Sequence, residues 1–430
     1  MNWFGHRTHL AAAALAALLT AGPLLAQPGL PSANRLRSPE IHPDNTVTFR
    51  LSAPKAAEVV LNGTWDMGIN IKMTKDDEGV WSATVGPLPA QLFGFSYMVD
   101  GVKALDPNDS ETQRDGSRYD NLLLITGPAD DLWTFRDVPH GTLEQIWYPS
   151  PTLKMDQRRM YVYLPPDYNK NKSLNYPVLY LLHGGGDEDA WTTMGRATTI
   201  MDNLIAQGKA VPMIVVMPNG NATQSVSQGY GLGPTPAPQQ VNAPAPPPVQ
   251  AAAMQAGQPP LGAPAPPAPA AGAPAAGAPP APPRPMMNMT YAGSYPESIV
   301  KDVIPFVEAN YRVIADKDHR AVAGLSMGAF HCFMVTSNNP GVFGYIGNFS
   351  GGGGALDDAK VQQLTALRDS GVKFYWTGAG STDMARASTV ALHDELVKLG
   401  FHTSYTEIPG PHYWFLWRPF LGDYAQILFK

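Results

Sequence analysis

Short apolar runs alternating with polar residues dominate the N-terminal part of the chain. Residues 47–51 and 80–85 are two such runs, rich in β-branched and aromatic side chains. Turn pairs such as Asn62-Gly63 separate the runs. Strands of this length joined by such turns are typical of two antiparallel sheets packed face to face. The pattern predicts a small all-β sandwich over residues 36–126.

A different pattern covers residues 135–430, where continuous apolar runs alternate with helical stretches. Runs without polar alternation suit strands that are buried on both faces of a parallel sheet. The predicted strands cover residues 160–164, 178–182, 213–217, 320–324, 344–348, 373–378 and 403–408. The predicted helices cover residues 200–207, 299–310, 328–337 and 388–399, with a last helix from Trp417. This order predicts an α/β domain with a doubly wound sheet.

The first 26 residues have the pattern of a secretory signal peptide. Arg7 precedes an apolar run over residues 10–19, and Ala26 supplies a small residue for cleavage. The run is too short to span a bilayer. The segment therefore predicts a secreted or periplasmic protein, with an N-terminal anchor helix as the alternative. No later segment is long and apolar enough to cross a membrane.

A proline-rich segment interrupts the α/β domain. Residues 234–285 contain 19 of the 43 prolines, and most of the others are alanine and glycine. Such a segment can neither pair into a sheet nor pack a core, so it predicts a disordered surface insert. It is either a tether to a cell wall or matrix, or a tolerated insertion, because lengthening a loop costs little free energy.

Charge and cysteine content narrow the possible functions. The net charge of −6 and the pI of about 5.9, with no basic stripe, argue against a nucleic-acid-binding protein. The only cysteine, Cys332, cannot form an internal disulfide, and its position in a helical stretch favours a buried apolar role. No motif implies a metal or an organic cofactor.

The residues that point most directly to chemistry form the pentapeptide Gly324-Leu325-Ser326-Met327-Gly328. It lies between a predicted strand and a predicted helix. A serine at a sharp strand-to-helix turn presents its hydroxyl above the sheet, and the following helix N-terminus favours negative charge. Ser326 is therefore the candidate nucleophile.

A serine nucleophile needs a histidine base and a carboxylate that orients it, and in α/β-hydrolases these follow on later loops. Among the late histidines, only His412 follows a strand on a loop, whereas His393 falls in a helix and His402 at a strand entrance. Asp383 is the candidate acid because it follows the strand at 373–378. Asp357 and Asp358 remain weaker alternatives. The oxyanion hole is expected to use the N–H groups of Met327 and Gly185.

With these residues, the sequence resembles the putative-esterase family of α/β-hydrolases. That family includes feruloyl and acetyl-xylan esterases of carbohydrate esterase family 1, siderophore esterases and mycolyltransferases. The motifs that carry the resemblance are residues 137–141, 161–166, 181–185, 202–205, 216–220, 304–308 and 324–328, with Trp191, Asp383 and residues 412–414. The resemblance implies the same catalytic set of Ser326, Asp383 and His412.

The N-terminal sandwich is similar to immunoglobulin-like early-set or family 48 carbohydrate-binding modules. The shared residues are 47–54, 61–65 and 79–81. Trp65 and Trp81 could stack on sugar rings, but packing inside the sandwich is the favoured interpretation. Carbohydrate binding by residues 36–126 is thus an expectation from the resemblance.

These features together predict an exported serine esterase that hydrolyses acylated carbohydrate or a small ester. Trp191 and Trp414 flank the predicted site, and they either line an acyl or sugar pocket or pack at its mouth. The alternatives are a siderophore esterase or an acyltransferase of the same fold, and a non-catalytic carbohydrate-binding protein.

Overall fold

The computed structural model describes residues 36–115, 118–127, 132–185, 189–220 and 290–430. The predicted signal peptide (1–26) and the predicted insert (234–285) lie outside the described residues.

The N-terminal region contains two antiparallel sheets. Its strands are β1 (Glu40–Ile41), β2 (Val47–Ser52), β3 (Val59–Gly63), β4 (Ile71–Lys72), β5 (Thr74–Lys75), β6 (Val80–Val85), β7 (Gln91–Val99), β8 (Val102–Ala104), β9 (Thr112–Asp115) and β10 (Arg118–Ile125). One sheet has the order β1-β2-β6-β5, and the other has the order β4-β3-β7-β10-β9, with β8 beside β7.

The two sheets enclose one apolar core, so the predicted sandwich is confirmed. Trp65 is buried in that core and stacks on Phe49, with 5.5 Å between ring centroids. Trp81 is also buried, and its indole N–H donates to the carbonyl oxygen of Ala53 at 2.9 Å. Both tryptophans therefore pack inside the sandwich, as the favoured interpretation of the sequence expected.

An eight-stranded sheet forms the centre of the second region. Its strands are β11 (Thr142–Ser150), β12 (Met155–Leu164), β13 (Val178–Leu182), β14 (Ile214–Pro218), β15 (Arg320–Leu325), β16 (Tyr345–Phe349), β17 (Phe374–Gly380) and β18 (Thr403–Ile408). The order is β11-β12-β14-β13-β15-β16-β17-β18, parallel from β14 onward. Every residue of β13 and β14 is buried, as expected for strands covered on both faces.

Helices cover both faces of this sheet. They are α1 (Ala197–Ala206), α2 (Tyr295–Ser298), α3 (Ile304–Asn310), α4 (Met327–Asn338), α5 (Asp358–Asp369), α6 (Arg386–Lys398) and α7 (Trp414–Ala425), with a π-helix (Ile299–Val303) joining α2 to α3. Helices α1 and α7 pack on one face, and the others pack on the opposite face. The predicted doubly wound α/β fold is confirmed.

The structure differs from the sequence-based prediction at several element bounds. The predicted helix 299–310 begins as α2 and passes through the π-helix before α3. The edge strand β11 was not predicted, because its sequence has no continuous apolar run, and only Tyr148 and Ser150 of it are buried. Helix α7 begins at Trp414, three residues before its predicted start and two residues after His412. Within the part of the chain that the structure describes, no helix combines the length and apolarity needed to cross a bilayer.

The parallel strands place several loops at one edge of the sheet. Leu182 pairs with Gly324 across β13 and β15, and Gly324 pairs with Asn348 on β16. Gly380 at the end of β17 pairs with Ile408 at the end of β18. Ligands of open α/β sheets bind at this carboxyl edge, so we expect a functional site on these loops.

Candidate active site

Ser326 lies between the last residue of β15 and the first residue of α4. Its φ of 51° and ψ of −115° are a conformation that L-amino acids rarely adopt. The Ser326 N–H donates to the carbonyl oxygen of Phe349 at 2.9 Å, which ties the turn to β16. The side chain is half-buried and faces the carboxyl edge of the sheet, as the strand-to-helix turn requires.

Both glycines of the pentapeptide are required by close backbone contacts. A Cβ atom on Gly324 would lie 2.4 Å from the carbonyl oxygen of Gly328. A Cβ atom on Gly328 would lie 2.6 Å from the carbonyl oxygens of Leu182 and His183. The start of α4 therefore packs directly against the loop that follows β13, which only glycine allows at these positions.

A continuous chain of hydrogen bonds joins Ser326 to a buried carboxylate. The Ser326 Oγ atom lies 2.8 Å from His412 Nε2, and His412 Nδ1 lies 2.7 Å from Asp383 Oδ1. His412 is on the loop after β18, and Asp383 is on the loop after β17. The structure thus brings together the three side chains that the sequence selected from loop positions.

Asp383 is held as an anion. Burial acts to raise the pKa of this carboxyl, but the hydrogen bond and charge of His412, the Ser350 hydroxyl and the Ala385 N–H outweigh burial, so its pKa lies below the ordinary value. The Ala385 N–H donates to Asp383 Oδ1 at 2.7 Å. A carboxylate in this state can orient a histidine ring and stabilise its protonated form.

The alternative acids and histidines have other structural roles. Asp357 caps α5, because its Oδ1 accepts the Lys360 N–H at 2.9 Å, and Asp358 is the exposed first residue of that helix. His393 on α6 faces Thr377, and the exposed His402 faces the carbonyl oxygen of Lys373. Of these candidates, Asp383 bonds to His412, and His412 bonds to Ser326.

The loop after β13 is fixed by His183, a residue that the sequence analysis did not select. His183 is 3% exposed, its Nδ1 lies 2.7 Å from the carbonyl oxygen of Gly184, and its Nε2 accepts the Gly220 N–H at 2.8 Å. Burial lowers the pKa of His183 to about 4, so the ring is neutral at physiological pH. The His-Gly-Gly-Gly run was the available signal.

The two expected oxyanion donors lie on the start of α4 and on the loop after β13, which pack against each other. Met327 is the first residue of α4, so its N–H has no carbonyl partner one turn earlier in the helix. Gly185 is exposed on the loop, and a Cβ atom there would meet no atom within 4 Å. The use of both N–H groups as an oxyanion hole stays a prediction.

The expectation that Trp191 and Trp414 line a pocket is not what the structure shows. They are 2% and 4% exposed and pack edge to face on each other, with 5.1 Å between ring centroids. The Trp191 N–H donates to the Leu182 carbonyl oxygen at 3.1 Å. Packing, the other interpretation left open by the sequence, accounts for both, because their faces are covered by the apolar core.

A serine at a strained strand-to-helix turn, bonded to a histidine and a carboxylate on later loops of a doubly wound sheet, is the arrangement of the α/β-hydrolase class. Comparison with known proteins narrows this class. The Esterase family profile, described as putative esterase, matches residues 150–250 and 283–423, which is more than half of the chain. The chain belongs to this family.

The individual relatives share less than a third of their aligned residues with this chain. An endo-1,4-beta-xylanase/feruloyl esterase of Xylanibacter ruminicola is 28% identical over 401 residues, which are 91% of this chain and 46% of the relative. An esterase of Mycobacterium tuberculosis is 24% identical over 51% of this chain and 32% of its own length. The chain thus spans less than half of the length of these two curated relatives.

Among solved structures, the enterobactin esterase of Shigella flexneri is similar in fold. It aligns with 90% of this chain and 94% of its own, at 16% identity and a TM-score of 0.56. Because the alignment covers nine tenths of the chain, it includes sheet-rich N-terminal residues as well as the α/β sheet.

Proposed function

We propose that this chain is a serine carboxylesterase in which Ser326, His412 and Asp383 form the catalytic triad. The observation that carries the proposal is the pair of hydrogen bonds, 2.8 Å and 2.7 Å long, that runs from Ser326 through His412 to Asp383. Membership of the Esterase family supports the same chemistry.

The reaction is a two-step acyl transfer to water. His412 Nε2 removes the hydroxyl proton as Ser326 Oγ attacks the ester carbonyl carbon. The carbonyl oxygen becomes an oxyanion, which the N–H groups of Met327 and Gly185 stabilise. Protonated His412 then gives its proton to the departing alcohol, which leaves an acyl-Ser326 ester. A water molecule, deprotonated by His412, hydrolyses that ester and restores the serine.

We propose an acyl group on carbohydrate, of the feruloyl or acetyl type, as the substrate. The relative named endo-1,4-beta-xylanase/feruloyl esterase aligns with 91% of this chain, so the aligned part supports a feruloyl ester as the first candidate. A siderophore ester and acyl transfer to a sugar are the alternatives within the same fold. We also propose that residues 1–26 direct export, so that the enzyme meets such substrates outside the cytoplasm.

The test compares purified wild-type protein with Ser326→Ala. Wild-type protein is expected to react with a fluorophosphonate probe and to release ferulate from methyl ferulate, and Ser326→Ala is expected to lose about 10⁴-fold or more of turnover. Ser337→Ala is the matched control, because Ser337 is a buried serine at the far end of α4 whose hydroxyl donates to the Phe333 carbonyl oxygen of the same helix.

The outcomes separate the candidate functions. Turnover of methyl ferulate above that of p-nitrophenyl acetate and of a catecholate ester supports the feruloyl proposal. Preference for the catecholate ester would instead identify a siderophore esterase. No probe labelling and no turnover of any ester would contradict catalysis and leave a carbohydrate-binding protein.

A further inference from the structure

The buried carboxylate of Asp383 has a second oxygen that the Ser–His–Asp chain does not use. Its Oδ1 takes the bonds from His412 and from the Ala385 N–H, whereas the buried Oδ2 meets no hydrogen-bond partner of standard geometry among the described residues. A buried carboxylate oxygen without a donor is costly. The residue that faces Asp383 from the neighbouring strand end is Ser350, whose hydroxyl helps to lower the pKa of Asp383.

Ser350 is held in an unusual backbone conformation at the end of β16. It is fully buried, has a φ of 54°, and its N–H donates to the Gly378 carbonyl oxygen at 2.7 Å. Glycine adopts positive φ without strain, and four glycines follow at residues 351–354, yet a serine occupies this position. A serine at this position therefore carries backbone strain that glycine would avoid.

The indole of Trp417 determines which way the Ser350 hydroxyl can point. Trp417 Nε1 donates to Ser350 Oγ at 3.0 Å. An indole N–H can only donate, so Ser350 accepts at this bond and keeps its own proton for another acceptor. The Trp417 ring also packs edge to face on the His412 ring, with 5.0 Å between centroids. One residue of α7 thus contacts both His412 and the serine that faces Asp383.

We propose that Ser350, oriented by Trp417, donates a hydrogen bond to the Oδ2 atom of Asp383 and so fixes the carboxylate that orients His412. Ser350 and Trp417 are positioning residues, which act through Asp383 and His412 and need not touch the substrate. The proposal rests on the proposed triad and adds to it a fixed donor for the Asp383 oxygen that does not bond to His412.

The test uses Ser350→Gly, Ser350→Ala and Trp417→Phe with p-nitrophenyl acetate. Ser350→Gly removes the hydroxyl and relieves the positive φ, so it is the variant that tests the hydrogen bond without adding backbone strain. We expect kcat to fall about tenfold in both Ser350 variants while KM stays within about twofold, because ground-state binding is untouched. In Trp417→Phe, which keeps a ring beside His412, we expect a smaller fall of kcat in the same direction.

The pH profile provides a readout that a purely structural role would not move. Without the donor, more of the negative charge of Asp383 faces His412 and favours the protonated ring, so the acid limb of kcat/KM, which reports the general base, is expected to move to higher pH by about half a unit. Among the described residues, Tyr405 also interacts electrostatically with Asp383, and because burial raises the pKa of Tyr405 above its ordinary value, it stays neutral over this range.

Two controls make the outcomes distinct. Ser337→Ala makes the same atomic change in a buried serine whose hydroxyl donates to a carbonyl oxygen of its own helix, and it should match wild type. Ser326→Ala in the same assay tests the proposed function itself. If Ser326→Ala is inactive while the Ser350 variants keep wild-type kcat and pH profile, the positioning proposal is overturned and the triad stands. If Ser326→Ala remains active, the triad proposal fails first.

Discussion

Ser326 shows how a single residue combines strain with chemistry. Its φ of 51° and ψ of −115° cost on the order of 1–3 kcal/mol relative to a relaxed residue. Glycine would remove that strain but would also remove the proposed nucleophile. The strain is maintained because close backbone contacts at Gly324 and Gly328, on either side of Ser326, leave the turn no other path.

The assignment of Asp383 as the acid predicts that Asp383→Asn loses far more turnover than Asp357→Asn. Asp383→Asn keeps the shape of the side chain but loses its charge and favours the wrong His412 tautomer, which in a comparable triad costs about 10⁴-fold in turnover. Asp357→Asn should change turnover little, because Asp357 caps α5 and is exposed. Turnover of p-nitrophenyl acetate, with folding checked by circular dichroism, measures both. A larger loss in Asp357→Asn would contradict the assignment.

His183 gives a prediction about stability and pH. Its pKa is about 4 in the folded protein and about 6.5 in the unfolded chain. As pH falls from about 6.5 to about 4, the unfolded state gains a proton that the folded state does not, so the free energy of unfolding drops by about 3 kcal/mol. His183→Gln, which can keep an acceptor for the Gly220 N–H, should lose this contribution, whereas the contribution of the buried His331, whose pKa burial lowers to about 3, remains.

Urea unfolding at several pH values between 7 and 4.5 measures the effect. His402→Gln is the matched control, because His402 is exposed. An unchanged slope in His183→Gln would show that the acid sensitivity has another source.

At the scale of elements, α7 connects the site to the N-terminal region. It begins directly after the His412-Tyr413 pair and carries Trp417 and Arg418. Arg418 is fully buried and donates to the Met194 carbonyl oxygen at 2.8 Å, and it also contacts Gln91 and Leu92 of β7. Burial lowers the pKa of Arg418 to about 9. One guanidinium therefore links α7 to the loop before α1 and to the sandwich.

Arg418→Lys is expected to lower the free energy of unfolding by about 2 kcal/mol. A compact ammonium cannot reach acceptors on two different elements as the planar guanidinium fork does, and buried carbonyl oxygens lose their donors. Arg386→Lys is the matched control, since Arg386 is an exposed arginine paired with Glu407, and such pairs contribute less than about 1 kcal/mol. Equal effects in chemical denaturation would contradict the linking role of Arg418.

At the scale of the whole molecule, the N-terminal region and the large sheet share an apolar cluster. Leu92 and Leu122 of the sandwich belong to the cluster that contains Trp191 and Trp417 of the α/β region. An ion pair adds to this contact, because Arg196 lies 2.7 Å from Glu111. We therefore expect both regions to unfold together.

The proline-rich segment gives the prediction at this scale. The Esterase family profile matches residues up to 250 and again from 283, so residues 251–282, most of the segment 234–285, lie outside the match. Its deletion should leave the melting temperature and turnover of p-nitrophenyl acetate close to wild type, because loop length alters folding free energy only slightly. Differential scanning calorimetry and steady-state kinetics measure both. A loss of several kcal/mol would mean that the segment packs against the enzyme.

Much of the fold and the triad candidates could be predicted from sequence because they depend on local patterns and one topological rule. Apolar runs without alternation, such as residues 178–182, predicted the buried parallel strands that the structure contains. Parallel strands end at one edge, so a serine turn and two loop residues that follow later strands were expected to meet there. The structure places Ser326, Asp383 and His412 within hydrogen-bond distance at that edge.

Other features required the tertiary structure because they depend on which side chains meet from distant segments. From the sequence, Trp191 and Trp414 could either line a pocket or pack in the interior. Because the loop before α1 packs against α7, both side chains are buried in the core. Ser350 and Trp417 are 67 positions apart, and no local pattern relates them. Sequence patterns determine which surfaces are apolar and where strands end, whereas the partners of each buried polar atom are decided when the elements pack together.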